Sequence, residues 1–329
     1  MDENAIEAHG LVKRFGDLAA LDGVDFEVPR GTVFGLLGPN GAGKTTAVRI
    51  LATVIAPDEG SATVLGHDVV REPDTVRSLI GLAGQYAAVD PNLTGYENLR
   101  LIGKLAQLPY AEIPGRADEL LGRFELLDAR DRPVKTYSGG MRRRLDVAAA
   151  LVQRPPVLYL DEPTTGLDLH SRNALWEMIQ ELVRAGTSVL LTTQYLEEAD
   201  RLADTISVVD HGKVIANGTP AQLKSGLGST VIEIVMSDVD TAARAEGVLA
   251  TIAPQPAERE GSTLTISTMD GTSLVMNVLR ALDAEHLPPS NLTLREPSLD
   301  DVFLSLTGHR AEDATQGEEP VPVGGRRRR

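Results

Sequence analysis

The segment Gly38-Pro39-Asn40-Gly41-Ala42-Gly43-Lys44-Thr45 has the spacing of a loop that cradles phosphate, placed after an apolar run and before a helical stretch that starts at Thr46. Its glycines let backbone N–H groups crowd around an anion, and the helix N-terminus adds positive potential. Lys44 is expected to reach the β- and γ-phosphates of a nucleotide, and the Thr45 hydroxyl to ligate Mg²⁺.

Asp161 and Glu162 close the apolar run Val157-Leu158-Tyr159-Leu160. Carboxylates at the C-terminal end of such a strand face the crevice where ligands bind in open α/β sheets. Asp161 would hold Mg²⁺ through water, and Glu162 would orient and deprotonate an attacking water. Taken alone, the pair also reads as a solvated acidic turn before Pro163. Ser138-Gly139-Gly140 supplies a third element, a hydroxyl and two unhindered N–H groups at the start of a helix, which make an anion site. A simple helix N-cap is its alternative reading.

The elements that position these residues follow from the apolar pattern. Ala5–Val12 and Val33–Leu37 read as strands, and Val157–Leu160, Val189–Thr193 and Ile206–Val209 as strands covered on both faces. Arg172–Ala185 reads as a helix ended by Gly186. Thr94 and Glu97 form a capping box for a helix through about Gly103, and a second helical run spans Tyr110 to Leu127. Residues 1–227 are therefore expected to form an α/β nucleotide-binding domain with a helical subdomain near 87–150.

A smaller α+β domain is expected over 228–308, after a second cap at Thr219-Pro220-Ala221-Gln222. Thr230–Met236 reads as a strand, Val239–Thr251 as a helix, two strands flank the Glu260-Gly261 turn, Thr272–Glu285 is helical and Leu292–Arg295 is a strand. That β-α-β-β-α-β order is ferredoxin-like. Ser298 caps a terminal helix to Leu306, and residues 309–329 are expected to be disordered.

Composition narrows the function classes. The chain has 329 residues and a net charge of −15, which argues against duplex nucleic acid as a partner despite the terminal Arg326–Arg329. With no cysteine, thiolate chemistry and Cys-based metal sites are excluded. The acidic N-terminus has no apolar segment of a secretory signal, and no window approaches the ~18 to 20 apolar residues of a membrane span. A role in transport would therefore be exercised from the cytoplasmic side, through a partner that supplies the membrane path.

Over residues 5–225 the sequence resembles the ATP-binding cassette (ABC) ATPases, a P-loop NTPase family. Leu36 to Thr46 resembles the family's Walker A, Tyr137-Ser138-Gly139-Gly140-Met141 its LSGGQ signature, Asp161-Glu162-Pro163 the Walker B end and Gly166-Leu167-Asp168 the D-loop. The resemblance implies that Gln85 touches Mg²⁺ and reports on a membrane partner, and that Phe15 stacks on adenine. A core aromatic is the alternative for Phe15. It also implies a homodimer in which Ser138-Gly139-Gly140, with Asp168 nearby, meets ATP bound to the other copy. Gln194 stands where most members carry a histidine that contacts the γ-phosphate. It can donate through its amide but cannot become cationic.

The runs Lys135–Leu145, Leu190–Asp200 and Ser298–Leu304 look like the daunorubicin/doxorubicin-resistance exporters of that family. This implies a peripheral ATPase on the cytoplasmic face of the membrane, working with an integral membrane permease to expel anthracycline-like drugs. Asp300–Leu304 also reads as an amphipathic helix packing on its own domain, and Arg142–Arg144 as an exposed helix face. The rival functions are a soluble ABC ATPase of translation or repair, and a drug-binding self-protection protein.

Overall fold

The computed structural model describes residues 4–84, 88–226, 228, 230–253, 256–268 and 271–307. Gln85 and the tail at 309–329 lie outside the described residues. The chain divides into two compact units that meet in sequence at Asn217 and Gly218.

The first unit begins with β1 (Asn4–Phe15), β2 (Leu18–Pro29), β3 (Val33–Leu37), α1 (Lys44–Leu51), β4 (Glu59–Val64), β5 (His67–Asp68), α2 (Pro73–Leu79) and β6 (Ile80–Ala83). Three helices follow, α3 (Gly95–Leu105), α4 (Ile113–Arg123) and α5 (Gly139–Ala150). The unit continues through β7 (Val157–Asp161), α6 (Leu169–Arg184), β8 (Ser188–Thr193), α7 (Leu196–Leu202), β9 (Thr205–Asp210) and β10 (Lys213–Gly218).

Two sheets form its frame, a four-stranded sheet in the order β2-β1-β4-β5 and a six-stranded sheet in the order β10-β9-β3-β8-β7-β6. In the first sheet the strands are antiparallel, and in the second β3 is parallel to both β8 and β9, as β7 is to β6 and β8. β3, β7 and β8 are buried along their whole length, which explains the apolar runs Val33–Leu37, Val157–Leu160 and Val189–Leu191 within them. One core joins the sheets: Ala47, Val48, Ile50 and Leu51 of α1 are buried with Ile6, Phe26 and Tyr159 from the strands. Phe26 and Phe34 stack at 5.3 Å between ring centres. α1, the helix that follows the Gly-rich loop, is thus fixed on its buried side and free at its N-terminus.

The antiparallel sheet is the part of this unit that the sequence reading did not foresee. Its first hairpin turns in two residues, with Phe15 opposite Leu18 and Gly16 at φ +59°, as a type II′ turn requires at its first position. The expected capping box is present at α3: Glu97 N–H donates to Thr94 Oγ1 at 3.1 Å, and Thr94 N–H to Glu97 Oε2 at 2.8 Å.

The second unit comprises α8 (Pro220–Ser225), β11 (Thr230–Val235), α9 (Val239–Leu249), β12 (Glu258–Glu260), β13 (Thr263–Thr268), α10 (Gly271–Ala284), β14 (Asn291–Arg295) and α11 (Leu299–Thr307). Its sheet order, β12-β13-β11-β14, with antiparallel pairs throughout, is the ferredoxin-like arrangement expected from the order of elements. Ile232, Ile234, Leu264 and Ile266 bury one sheet face against Ala242, Leu249, Val278 and Leu282 of the two helices. α11 packs against α8. Its Leu299, Val302 and Phe303 are buried, and Asp301 accepts from both Arg295 Nη1 and Arg295 Nη2. The Asp300–Leu304 segment is therefore an amphipathic helix packed on its own unit.

Candidate active site

The C-terminal ends of β3, β7 and β8 converge, because the three strands are parallel neighbours. β3 runs into the Gly-rich loop, β7 ends in Asp161, and β8 ends in Thr192-Thr193. Gly43 precedes α1 at φ +106°, and a Cβ there would lie 2.2 Å from the Ala20 carbonyl oxygen, so only glycine fits. No side chain caps α1. Its first-turn N–H groups are thus available to an anion.

Lys44 is buried at 4% exposure. Its Nζ donates to the Gly38 carbonyl at 2.7 Å and the Pro39 carbonyl at 2.9 Å, and lies 3.5 Å from Glu162 Oε1. Burial pushes the ammonium below the usual lysine range, while the Glu162 and Asp161 carboxylates pull it back. The loop therefore already holds a cation folded back over its own carbonyls.

Asp161 is buried and gathers two hydroxyls on one oxygen: Thr45 Oγ1 donates to Oδ1 at 3.2 Å, and Thr192 Oγ1 donates to the same atom. An all-oxygen set of one carboxylate and hydroxyls suits a hard cation such as Mg²⁺. Thr192 has no role in the sequence reading. Its signal there is a hydroxyl residue ending an apolar strand that runs parallel to the Asp161 strand.

Glu162 is held at φ +48°, a conformation that costs a non-glycine residue on the order of 1 kcal/mol or more and concentrates at functional sites. Its N–H donates to the Thr192 carbonyl and to Thr192 Oγ1, both at 3.1 Å. The turn aims the carboxylate back at Lys44, so Glu162 is not the solvated pair member that the bare sequence also allowed. A cleft of about 710 Å³ opens here, with Asn40, Gly41, Gly139, Arg143, Glu162 and Gly166 in its wall.

Phe15 is 48% exposed, which rules out the core reading. With Leu18 and Ala20 it lines a second cavity, about 240 Å³, shared with Asn40 to Thr46 of the Gly-rich loop and the first turn of α1. The hairpin turn thus carries an apolar platform to the edge of the phosphate loop.

Ser138 is the exposed N-cap of α5, its Oγ accepting from Met141 N–H at 3.2 Å. Gly140 is pressed against Ser171, since a Cβ on it would come 2.6 Å from Ser171 Oγ. Asp168 caps α6, accepting from Ser171 N–H at 2.8 Å and Ser171 Oγ at 3.2 Å. These bonds hold its carboxyl below the usual aspartate range. Gln194 follows β8, and its Oε1 is buried with no hydrogen-bond partner among the described residues.

The exposed-face reading of Arg142–Arg144 fails for two of the three. Only Arg142 is exposed. Arg144 Nη1 donates to the Phe124 carbonyl at 3.2 Å and to Glu125 Oε2 at 3.1 Å. Arg143 donates to the carbonyls of Pro163 and Asp161 at 2.8 and 2.9 Å, and to that of Gly84. Contacts to carbonyls leave no pattern in a sequence, which is why a basic run looked like a solvated face.

Comparison with known proteins gives this geometry a family. Residues 21–165 match the ABC transporter family, and residues 218–307 match the ATP-binding protein DrrA1-3-like C-terminal domain. The chain is 52% identical to the daunorubicin/doxorubicin resistance ATP-binding protein DrrA of Streptomyces peucetius, over 95% of this chain and 96% of that one. It is 40% identical to the Nod factor export ATP-binding protein I of Ralstonia nicotianae, over 94% and 95% of the two chains. Among solved structures, an ATP-binding subunit of an ABC transporter is similar with a TM-score of 0.62 at 29% identity, covering 68% of this chain and 92% of that one. The chain is an ATP hydrolase and belongs to the ABC transporter ATP-binding proteins of the daunorubicin/doxorubicin-resistance family.

Proposed function

We propose that this chain is the motor subunit of a two-component drug exporter, a homodimer that closes on ATP beneath a separate integral membrane permease. Among the described residues no helix is long and apolar enough to cross a membrane. In this reading the chain sits on the cytoplasmic face as a peripheral subunit, as the resemblance to exporter ATP-binding proteins suggests. Its cargo, anthracycline-like drugs, rests on the relatives at 52% identity.

The observation that carries the mechanism is the meeting of Lys44, Thr45, Asp161 and Glu162 at the ends of parallel strands. In this reading residues Gly38 to Thr46 wrap the phosphates with backbone N–H groups, and Phe15 stacks on the base. Thr45, Asp161 and Gln85 would hold Mg²⁺, which would supply positive charge to offset the negative charge of the phosphates. Phosphate oxygens draw Lys44 away from Glu162, and Glu162 is then free to take the proton of the attacking water. The bond from the γ-phosphorus to the bridging oxygen breaks, leaving ADP and phosphate. Gln194 donates its amide towards the γ-phosphate. Ser138, Gly139 and Gly140, with Asp168, complete the site of the other copy.

Glu162→Gln tests both the base and the dimer. Turnover is expected to fall about 10²- to 10⁴-fold with ATP binding retained, and light scattering should show a dimer that ATP stabilises. Near-wild-type hydrolysis would sink the assignment of Glu162, and a monomer at saturating ATP would sink the sandwich. Drug efflux from cells carrying the chain with its permease, and none from cells with Glu162→Gln, is the expected result for the cargo.

A further inference from the structure

Arg143 lies on α5, the helix that Ser138 caps. Its Nε donates to the Pro163 carbonyl at 2.8 Å and its Nη2 to the Asp161 carbonyl at 2.9 Å. These two carbonyls bracket Glu162, whose backbone is held in the left-handed region. Its Nη1 donates to the carbonyl of Gly84. Three residues on, along the same helical face, Asp146 is buried and accepts the Ala88 N–H at 3.0 Å. One face of α5 therefore grips the backbone on both sides of Glu162, and also the two described residues that flank positions 85–87.

The chemistry of the grip is specific to a guanidinium. Arginine presents N–H donors in a rigid planar fork, so three carbonyl oxygens in fixed positions also fix the helix that carries it. An ammonium is a compact charge on a flexible stem and cannot hold three divergent carbonyls in one geometry. Taking a cation out of water to bond carbonyls is costly, so the arrangement is a poor choice for stability alone.

We propose that Arg143 is a positioning residue that couples Ser138–Gly140 to the geometry of Glu162 in the same chain, so that nucleotide in one site of the dimer sets turnover in the other. This rests on the sandwich reading above. In that dimer, Ser138–Gly140 of one copy touches nucleotide held by the partner copy, while Glu162 acts on nucleotide held by its own. α5 is the link between them, and Arg143 transmits its displacement to the Asp161–Pro163 turn. A misplacement of about 1 Å at a catalytic group costs on the order of 10²-fold in rate.

The test uses the full chain with Arg143→Lys and Arg143→Gln, measuring hydrolysis against ATP concentration, nucleotide affinity by a fluorescent ATP analogue, and melting temperature. Dimer formation is followed separately in the Glu162→Gln background, so a missing dimer there counts against the sandwich and not against Arg143. With the dimer present, Arg143→Lys should keep ATP affinity within about twofold and lower kcat about 10- to 100-fold. The Hill coefficient should drop from about 2 towards 1. Arg143→Lys retains the charge and carries the test if Arg143→Gln does not fold. Unchanged kcat and cooperativity in Arg143→Lys would overturn the proposal. So would a fall in kcat matched by equal losses of ATP affinity and melting temperature, the pattern of a merely structural residue.

Discussion

Thr192 donates its hydroxyl to Asp161 Oδ1, and the parallel register of β7 and β8 sets the two residues directly opposite each other. The contact is a property of the sheet and does not depend on a loop. Because Thr192 is fully buried, Asp161 cannot replace the lost donor with bulk water. Thr192→Val, which keeps the shape, is expected to destabilise the fold by about 1–3 kcal/mol. It should also raise the Mg²⁺ concentration needed for half-maximal hydrolysis. Thermal denaturation and a Mg²⁺ titration check the two effects separately.

The Gly140–Ser171 approach gives a coupling test. Gly140→Ala forces the Ser171 hydroxyl to turn out of its bond to Asp168 Oδ2, a cost of about 1 kcal/mol. Ser171→Ala removes that same bond, so the double variant should melt no lower than Gly140→Ala alone. Its hydrolysis should stay low, because Gly140 also serves the partner's nucleotide in the proposed dimer. Equal melting temperatures for wild type and Gly140→Ala would contradict the contact.

Gln194 carries no titrating group near neutral pH. The rate profile of the wild type should therefore show no step assignable to this position. Gln194→His should add one near the ordinary imidazole value of about 6.5. Rate against pH in the two proteins decides the matter, and a wild type without hydrolysis that histidine rescues would defeat the prediction.

Glu198, on α7, is fully buried and accepts from Trp176 Nε1 at 3.0 Å. The Thr193 and Thr164 hydroxyls face its carboxyl, but among the described residues no well-directed hydrogen bond reaches Oε2. Burial pushes the carboxyl above the usual glutamate range, against the pull of those hydroxyls, Trp176 and Arg172. A raised folded-state value means stability that is fully present below the unfolded value of 4.5 and is lost as pH rises through the folded value. Glu198→Gln stays neutral and should not show that loss. It is expected to melt above wild type at pH 8, with the gap closing towards pH 4.

What the sequence made legible was local. The Gly-rich loop, the Asp161–Glu162 strand end and the Thr94–Glu97 box each show their signal within a few residues, and the structure places each where its signal puts it. The β2-β1-β4-β5 sheet was not legible, because register shifts interrupt the alternation along the β1–β2 hairpin and the β1–β4 pairing joins segments some fifty residues apart. The contacts of Arg143 and Thr192 were missed for a related reason, since each is made to backbone or side-chain groups brought close only by folding.

The hairpin that lifts Phe15 and Leu18 beside the phosphate loop has a consequence for selectivity. An aromatic face senses the breadth of a flat ring and not the donors and acceptors on its edge. Leu18 and Ala20, which share that cavity with Phe15, have no side-chain hydrogen-bonding groups with which to question the edge. If Phe15 stacks on the base as proposed, this apolar side adds nothing that separates guanine from adenine, and the choice between them falls to polar residues in the same cavity such as Asn40 and Thr46.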